Sequence, residues 1–420
     1  MAASVPYQPQ VNPDDKTKEN NDDKPVTLKV IRDDKPEETL KGILTGALLS
    51  KRLSEFSKYV SLWGLVILLL VLVVVVYTFI RDFTLQYTEQ GSINTLQTAN
   101  QLQKIKDADL KQPLRNFYIK TALNCCCLGD WKNNYVDLIA LQYAILQGYR
   151  CLDFEIYSVN DQPVVAASTH KKNFYHMETF NHLPFADVCA RINEIAFSFA
   201  PNKEDPLLIS LRIKSSNTAP SFIKGIIDGI KTFPTLGPEY NYEFGGHNLS
   251  KEPVGNFMGK VIIMVDVSNP IVNQNCTTDP KTKVQTGECL NQYINIGINS
   301  PFLHKLDYEM GVKNTGNMTD LIEHNKKNMS LVFPDSPFTA NVNFNVAKSM
   351  GCALIGMMPQ LNDANLAAYN AAFNKARCAF ILKPPELCYQ PIMIETPPPQ
   401  DQALSFAGRN YSTDYASWSV

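Results

Sequence analysis

The stretch Gln147-Gly148-Tyr149-Arg150-Cys151-Leu152-Asp153-Phe154-Glu155 decides the fold. Its apolar run, continued to Tyr157, predicts a strand over Cys151–Tyr157. Side chains alternate across a strand, so Asp153 and Glu155 face the same side. Working outward, further strands are expected at Pro163–Ala167, Leu207–Ile213, Lys260–Val267, Ala353–Met358 and Cys378–Leu382. Helices fit Tyr135–Gln147, Phe185–Ser198, Ala219–Thr232 and Asp363–Lys375. This alternation over about 270 residues has the size and rhythm of an α/β fold of the (β/α)8 TIM-barrel type. A doubly wound sheet fits the alternation too, although no Gly-rich phosphate loop follows any strand.

Upstream, Val60–Ile80 is 21 residues without a charge, dominated by Val and Leu. A helix of that length spans about 30 Å of hydrocarbon, so one transmembrane helix is expected to precede the barrel. Tyr59, Trp63 and Tyr77 stand where interfacial rings would sit. Lys41, Lys51, Arg52 and Lys58 precede the span, whereas Arg81 alone follows closely, which predicts a cytoplasmic N-terminus. Everything after Arg81 is then lumenal, extracellular or on the equivalent face of a particle. There the sequons at Asn248, Asn275, Asn317, Asn328 and Asn410 could be glycosylated, and Cys276 and Cys289 could be bridged.

The remaining segments divide by composition. Residues 1–59 are expected to be a disordered cytoplasmic tail, with Leu40–Phe56 read either as an amphipathic helix at the membrane or as an unstructured lead-in. Residues 81–113 read as a helical stalk, 114–387 as the globular region, and the Pro-rich 388–420 as a second disordered tail. A net charge of −2 with acids and bases mixed along the chain gives no reason to expect a nucleic-acid partner. Cys125, Cys126 and Cys127 cannot all point at one metal and are expected as buried small apolar residues.

Several segments, in order, resemble the X and Y catalytic barrel of phosphoinositide-specific phospholipase C. Tyr118–Asn124 resembles the opening of the X region, where a strand end leads into His-Asn. Gln147–Glu155 is similar to its Gly-x-Arg-x-x-Glu-x-Asp strand, Pro163-Val164-Val165 to the strand carrying its second His, and Pro206–Leu211 to the strand ending in Ser-Leu-Glu. Phe257–Ile263, Met329–Pro334, Asn345–Ala353 and Ile381–Pro384 resemble later segments up to the close of the Y region. The resemblance divides the globular region into an X-like half, about 114–216, and a Y-like half, about 255–387.

That family lets an inositol hydroxyl attack phosphorus with two histidines and a bound calcium. The resemblance places Leu123 and Ala167 at the two histidine positions, where neither side chain can move a proton. It places Asn124, Asp153 and Glu155 at calcium-ligand positions, and Arg212 at the third carboxylate. A guanidinium there removes a ligand and repels the metal; alternatively Arg212 replaces the cation and pairs with Asp153 and Glu155. Met264 and Asp266 stand at the substrate-binding Lys positions and Leu331 at the Y-region Arg. Among His170, His176 and His182, His170 lies nearest the second histidine position and is the candidate substitute. The implied protein is a single-pass membrane protein with a catalytically impaired phospholipase C-like barrel serving as a binding or structural module, with no cofactor and with an inositol lipid or a protein as ligand. The alternative is an active phosphoric diester hydrolase that uses calcium.

Overall fold

A computed structural model of the chain describes residues 36–95, 102–170, 175–242, 247–273, 277–278, 285–286, 289–391 and 407–420. Helix α1 runs over Pro36–Thr95. The chain divides into two units, residues 1–78 and 79–420. In the first unit, α1 is long and apolar enough to cross a membrane, and Leu68, Val73 and Tyr77 are exposed, as a lipid-facing surface requires. The amphipathic segment expected near residues 40–56 is the first part of this helix rather than a separate element.

The second unit is a nearly closed barrel of eight strands: β1 (Phe117–Ala122), β2 (Cys151–Val159), β3 (Leu207–Ile213), β4 (Val261–Asp266), β5 (Ile296–Ile298), β6 (Leu303–Asp307), β7 (Met329–Phe333) and β8 (Leu354–Met357). Each neighbouring pair from β6 through β8, β1 and β2 to β5 is parallel. The gap lies between β5 and β6. Residues 299–302 are too few for the crossover that lays parallel strands side by side. The seam is held instead by a lone bridge, Ser300 to Leu303, and by the Asn299 amide donating to the Leu303 carbonyl at 3.0 Å.

Helices cover the barrel where the sequence is amphipathic. α2 is Leu138–Leu146, α3 Phe185–Ala196 and α4 Pro220–Lys231. In α3 the buried Phe185, Val188, Cys189, Ile192 and Ile195 recur at helical spacing, and Phe222, Ile223, Ile226, Ile227 and Ile230 do the same in α4. Gly225 lets α4 lie against an extra strand, Gln162–Ala166: a Cβ there would sit 2.7 Å from the Pro163 ring. α5 is Met318–Lys327, α6 Phe344–Ser349 and α7 Ala364–Ala376, the last capped by Asp363, whose carboxylate accepts from the Leu366 amide at 2.7 Å. The interior is close-packed aliphatic and aromatic, with β2 and β3 almost entirely buried.

Two expectations are corrected. Residues 81–113 are not one helical stalk. Helix α1 ends at Thr95, its last turns pack Ile93 against Leu128, Ala140 and Tyr143, and residues 102–116 lie along the barrel with Leu102 and Ile105 buried. The Ile105 amide donates to Asp205 at 2.8 Å, an anchor that a helix running on through Ile105 would instead direct to its own carbonyls. Nor are residues 388–420 wholly without structure: Asn410–Ser412 and Ser417–Ser419 form an antiparallel hairpin with Tyr411 stacked on Trp418. Cross-strand aromatic pairing offsets the polar composition that suggested disorder. Cys289 is disulfide-bonded, while Cys276, the partner suggested by sequence, lies outside the described residues.

Candidate active site at the barrel mouth

The C-terminal strand ends converge on Arg212. In the β2–β3 ladder Asp153 pairs with Ser210 and Glu155 with Arg212, so the strand period of two puts both carboxylates beside the guanidinium. Arg212 Nε donates to both Asp153 oxygens at 3.0 and 3.1 Å, and Nη2 to Asp153 Oδ2 at 2.6 Å. Nη1 donates to Glu155 Oε1 at 2.5 Å, and Nη2 also reaches Asn124 Oδ1 at 2.9 Å. The guanidinium lies 4.9 Å from the centre of the Phe333 ring. Burial alone would lower the Arg212 pKa, but Asp153 and Glu155 together drive it well above its usual value.

The remaining lone pairs are also used. Asp153 Oδ1 accepts from Ser210 at 2.6 Å, and Glu155 Oε2 from the Tyr157 hydroxyl at 2.7 Å. Asn124 reaches the cluster because the chain turns sharply after β1, at φ +43°, into the buried Cys125–Cys127 run. The Cys125 amide donates to the Asp153 carbonyl at 3.1 Å, tying this turn to β2. Those three thiols are buried as small apolar residues would be, and burial raises their pKa values.

Calcium takes six to eight oxygen ligands in a shell of about 2.3–2.6 Å. Asn124, Asp153 and Glu155, which could begin such a shell, each give an oxygen to the guanidinium, so these residues do not fit calcium. Leu123 is fully buried and packs on β8 at Gly356, where a Cβ would lie 2.6 Å from the Leu123 side chain. Ala167 is fully buried as well. Neither position offers a proton donor.

Above this cluster opens a cavity of about 450 Å³, lined among others by Trp131, His170, Lys214, Asp266, Lys305 and Phe333. Lys305 Nζ stands 3.4 Å from Asp266 Oδ2, and Asp266 also accepts from Ser268 and Asn299. Lys214 is buried, which lowers its pKa, and donates to the His170 carbonyl at 3.0 Å. The His170 imidazole borders the cavity with Nε2 3.6 Å from Glu178 Oε1.

Glu178 is the residue that sequence reasoning missed. Its carboxylate accepts from the Thr169 amide at 2.7 Å, the Thr169 hydroxyl at 2.6 Å and Lys132 at 2.9 Å. Burial would raise its pKa, but the Thr169 bonds and Lys132 hold it at about 2. Backbone bonds from Asn133 to Glu178 and from Phe180 to Asn134 stitch the two mouth loops together. No local pattern marks Glu178, because its partners arrive from two loops.

Comparison with known proteins finds a family match over the first part of the barrel. The family model described as phosphatidylinositol-specific phospholipase C, X domain, matches residues 110–230. No curated protein matches the chain. Among solved structures, L. pealei PLC21 is 15% identical with a TM-score of 0.50, covering 66% of this chain and 38% of its own. S. officinalis PLC21 is 16% identical at a TM-score of 0.48, covering 66% and 37%. The calcium-dependent phosphoinositol-specific phospholipase C of Pseudomonas sp is 11% identical at 0.36, covering 63% and 96%. The chain thus spans well under half the length of the two PLC21 structures. Residues 110–230 thus match the X-domain model, and the barrel built on them shares its fold with L. pealei PLC21.

Proposed function

We propose that the chain is a single-pass membrane protein whose barrel has exchanged phospholipase chemistry for a binding role at the mouth. The carrying observation is the clamp of Asp153, Glu155 and Asn124 on Arg212. A fixed cation bonded on every side cannot follow charge as it develops on a phosphate, and it holds the carboxylates that would bind a metal. Leu123 and Ala167, at the family's histidine positions, supply no acid or base. The basic residues before the span favour a cytoplasmic N-terminus and a barrel on the opposite face, across the bilayer from the leaflet richest in phosphorylated inositol lipids. The cavity, mixed in charge and edged by aromatic rings, suits a small polar head group or a side chain of a partner protein.

The test is turnover and metal binding by the full-length protein in lipid nanodiscs. Expected are no hydrolysis of phosphatidylinositol or its phosphorylated forms, with or without calcium, and no calcium-dependent rise in Tm. Turnover above the uncatalysed rate, or calcium stabilisation of the native sequence, overturns the reading.

One observation favours a second reading, an active phosphodiesterase of altered catalytic residues: His170 borders the cavity, and its imidazole lies 3.6 Å from the Glu178 carboxylate. Hydrolysis lost in His170→Ala, with the fold intact, would establish it.

A further inference from the structure

Four sequons fall within the described residues, and the fold treats them in two ways. Asn317 and Asn410 are exposed, as are Thr319 and Ser412, which complete their sequons. Asn317 caps α5: its Oδ1 accepts from the Asp320 amide at 3.2 Å while its Nδ2 donates to the Asp320 carboxylate. Asn410 opens the exposed hairpin, and its Oδ1 accepts from the Ser419 hydroxyl. Attaching a sugar to an asparagine amide leaves one N–H and the carbonyl oxygen in place. Both sets of bonds therefore survive modification.

Asn248 and Asn328 are built differently. Asn248 is 5% exposed, and its Nδ2 donates to Asn328 Oδ1 at 2.9 Å. Its Oδ1 holds the Ser250 amide at 3.1 Å and the Ser250 hydroxyl at 2.6 Å. Ser250 and Ser330, which complete these two sequons, are themselves buried, and Ser330 donates to Asn325 Oδ1 at 2.6 Å. A glycan on Asn248 has no exit to solvent, and the Asn328 sequon can present its hydroxyl, that of the fully buried Ser330, only if β7 leaves the barrel.

We propose that the folded chain carries N-linked glycans at Asn317 and Asn410 and excludes them from Asn248 and Asn328. This rests on the proposed orientation, with the barrel on the lumenal face. The donor is a lipid diphosphate-linked oligosaccharide. Transfer forms a bond from the asparagine Nδ2 to the anomeric carbon and breaks the bond from that carbon to phosphate. The lipid diphosphate leaves, and the amide proton passes to a base of the membrane-bound transferase. Two acceptors then mark the start of α5 and the C-terminal hairpin, while two others act as an internal check, since the folded chain closes their Ser250 and Ser330 hydroxyls to the transferase.

The experiment expresses the full chain with a C-terminal epitope tag in mammalian cells, in an Asn275→Gln background because Asn275 lies outside the described residues. Expected are two electrophoretic steps removed by peptide-N-glycosidase. One is lost in Thr319→Ala, which keeps the Asn317 cap, and the other in Ser412→Ala, while Asn328→Gln loses neither. Peptide mass spectrometry should find Asn248 and Asn328 unmodified in the folded fraction. Protease protection of the tag reports orientation independently. A protected tag with Asn317 and Asn410 unoccupied, or folded protein glycosylated at Asn248 or Asn328, overturns the glycan assignment while the orientation stands. A tag accessible from the cytosol overturns both.

Discussion

Arg212 and Glu155 are register partners on β3 and β2, and their side chains meet at 2.5 Å between Nη1 and Oε1 at the barrel mouth. Both are essentially buried, so the pair exists only because each charge is met by the other, with Asp153 also facing Arg212 and the Tyr157 hydroxyl bonding Glu155. Taking such ions out of water costs several kcal/mol each, and mutual attraction offsets that cost only with complete bonding.

Arg212→Met should therefore destabilise the barrel by about 3–5 kcal/mol, because two buried carboxylates lose their counter-ion. Adding Asp153→Asn and Glu155→Gln should restore part of the loss. Urea unfolding of the three proteins decides it; a single mutant as stable as the parent would mean the cluster is not the electrostatic unit described here.

Arg212→Glu tests the cation-replacement reading from the other side. Three acids with Asn124 would then share one pocket, repelling each other without a metal and offering the oxygen set that calcium prefers. The expected outcome is a lowered Tm that millimolar calcium raises again. No response to calcium would indicate that the backbone no longer supports a metal at this place.

Glu178→Ala should cost about 2 kcal/mol, since the Thr169 amide and hydroxyl lose a charged acceptor. The sign with pH follows from a folded pKa near 2 against an ordinary 4.5. Stabilisation by Glu178 is complete above about pH 4.5 and is lost as pH falls toward 2. Parent and variant should thus converge at low pH. Hydrogen exchange at 168–170 should rise in the variant at pH 7.

How much of this was legible follows the range of the forces involved. β2, β3 and the helices α3, α4 and α7 were readable to within a few residues because local apolar spacing alone forms them. Strand alternation put Asp153 and Glu155 on one side, and the family resemblance, which set Arg212 at the third carboxylate position, offered its pairing with both as one of two readings. β5 and β6 were not anticipated: Ile296–Ile298 is three residues long amid asparagines, and Leu303–Asp307 mixes His and Lys into a half-exposed strand, so neither carries a clear period. The strap of Leu102 and Ile105 was read as helix because its segment is polar, low in Gly and closed by Pro113, yet Asp205, a hundred residues away, supplies the acceptor that fixes it extended. Long-range partners of this kind leave no trace in a local window.

Asp205 makes the strap sensitive to pH. Burial raises its carboxyl to about 6, against the Ile105 amide and Arg150, which pull it down. Between about pH 4 and 6 the folded chain holds a proton that the unfolded chain has released, so stability falls as pH rises through this window. Asp205→Asn keeps an oxygen for the Ile105 amide and cannot ionise. It should flatten the profile between pH 4 and 6 and add about 1–2 kcal/mol at pH 7, a fraction of the shift because Arg150 loses a neighbour of opposite charge. An unchanged slope in the variant would assign the pH dependence elsewhere.

Ile93 is 1% exposed, although it sits in the last turn of a helix that is otherwise largely solvent- or lipid-facing. It fills a small cluster with Leu128, Ala140 and Tyr143, one turn from Gln90, whose amide donates to Asp137 Oδ2 at 2.8 Å. The other Asp137 oxygen caps α2 through the Ile139 amide at 2.9 Å. The end of α1 is thus fastened to the first helix of the barrel by one apolar and one polar contact. Ile93→Ala removes the apolar one, at a local cost of about 2–4 kcal/mol for a buried aliphatic truncation. The cluster is separate from the main core, so the loss should appear as local opening rather than global unfolding. Amide exchange across residues 85–95 and the first turn of α2 should accelerate at least tenfold, while exchange in β2 and β3 stays at the parental rate. Acceleration throughout the barrel would mean that this contact belongs to the global cooperative unit.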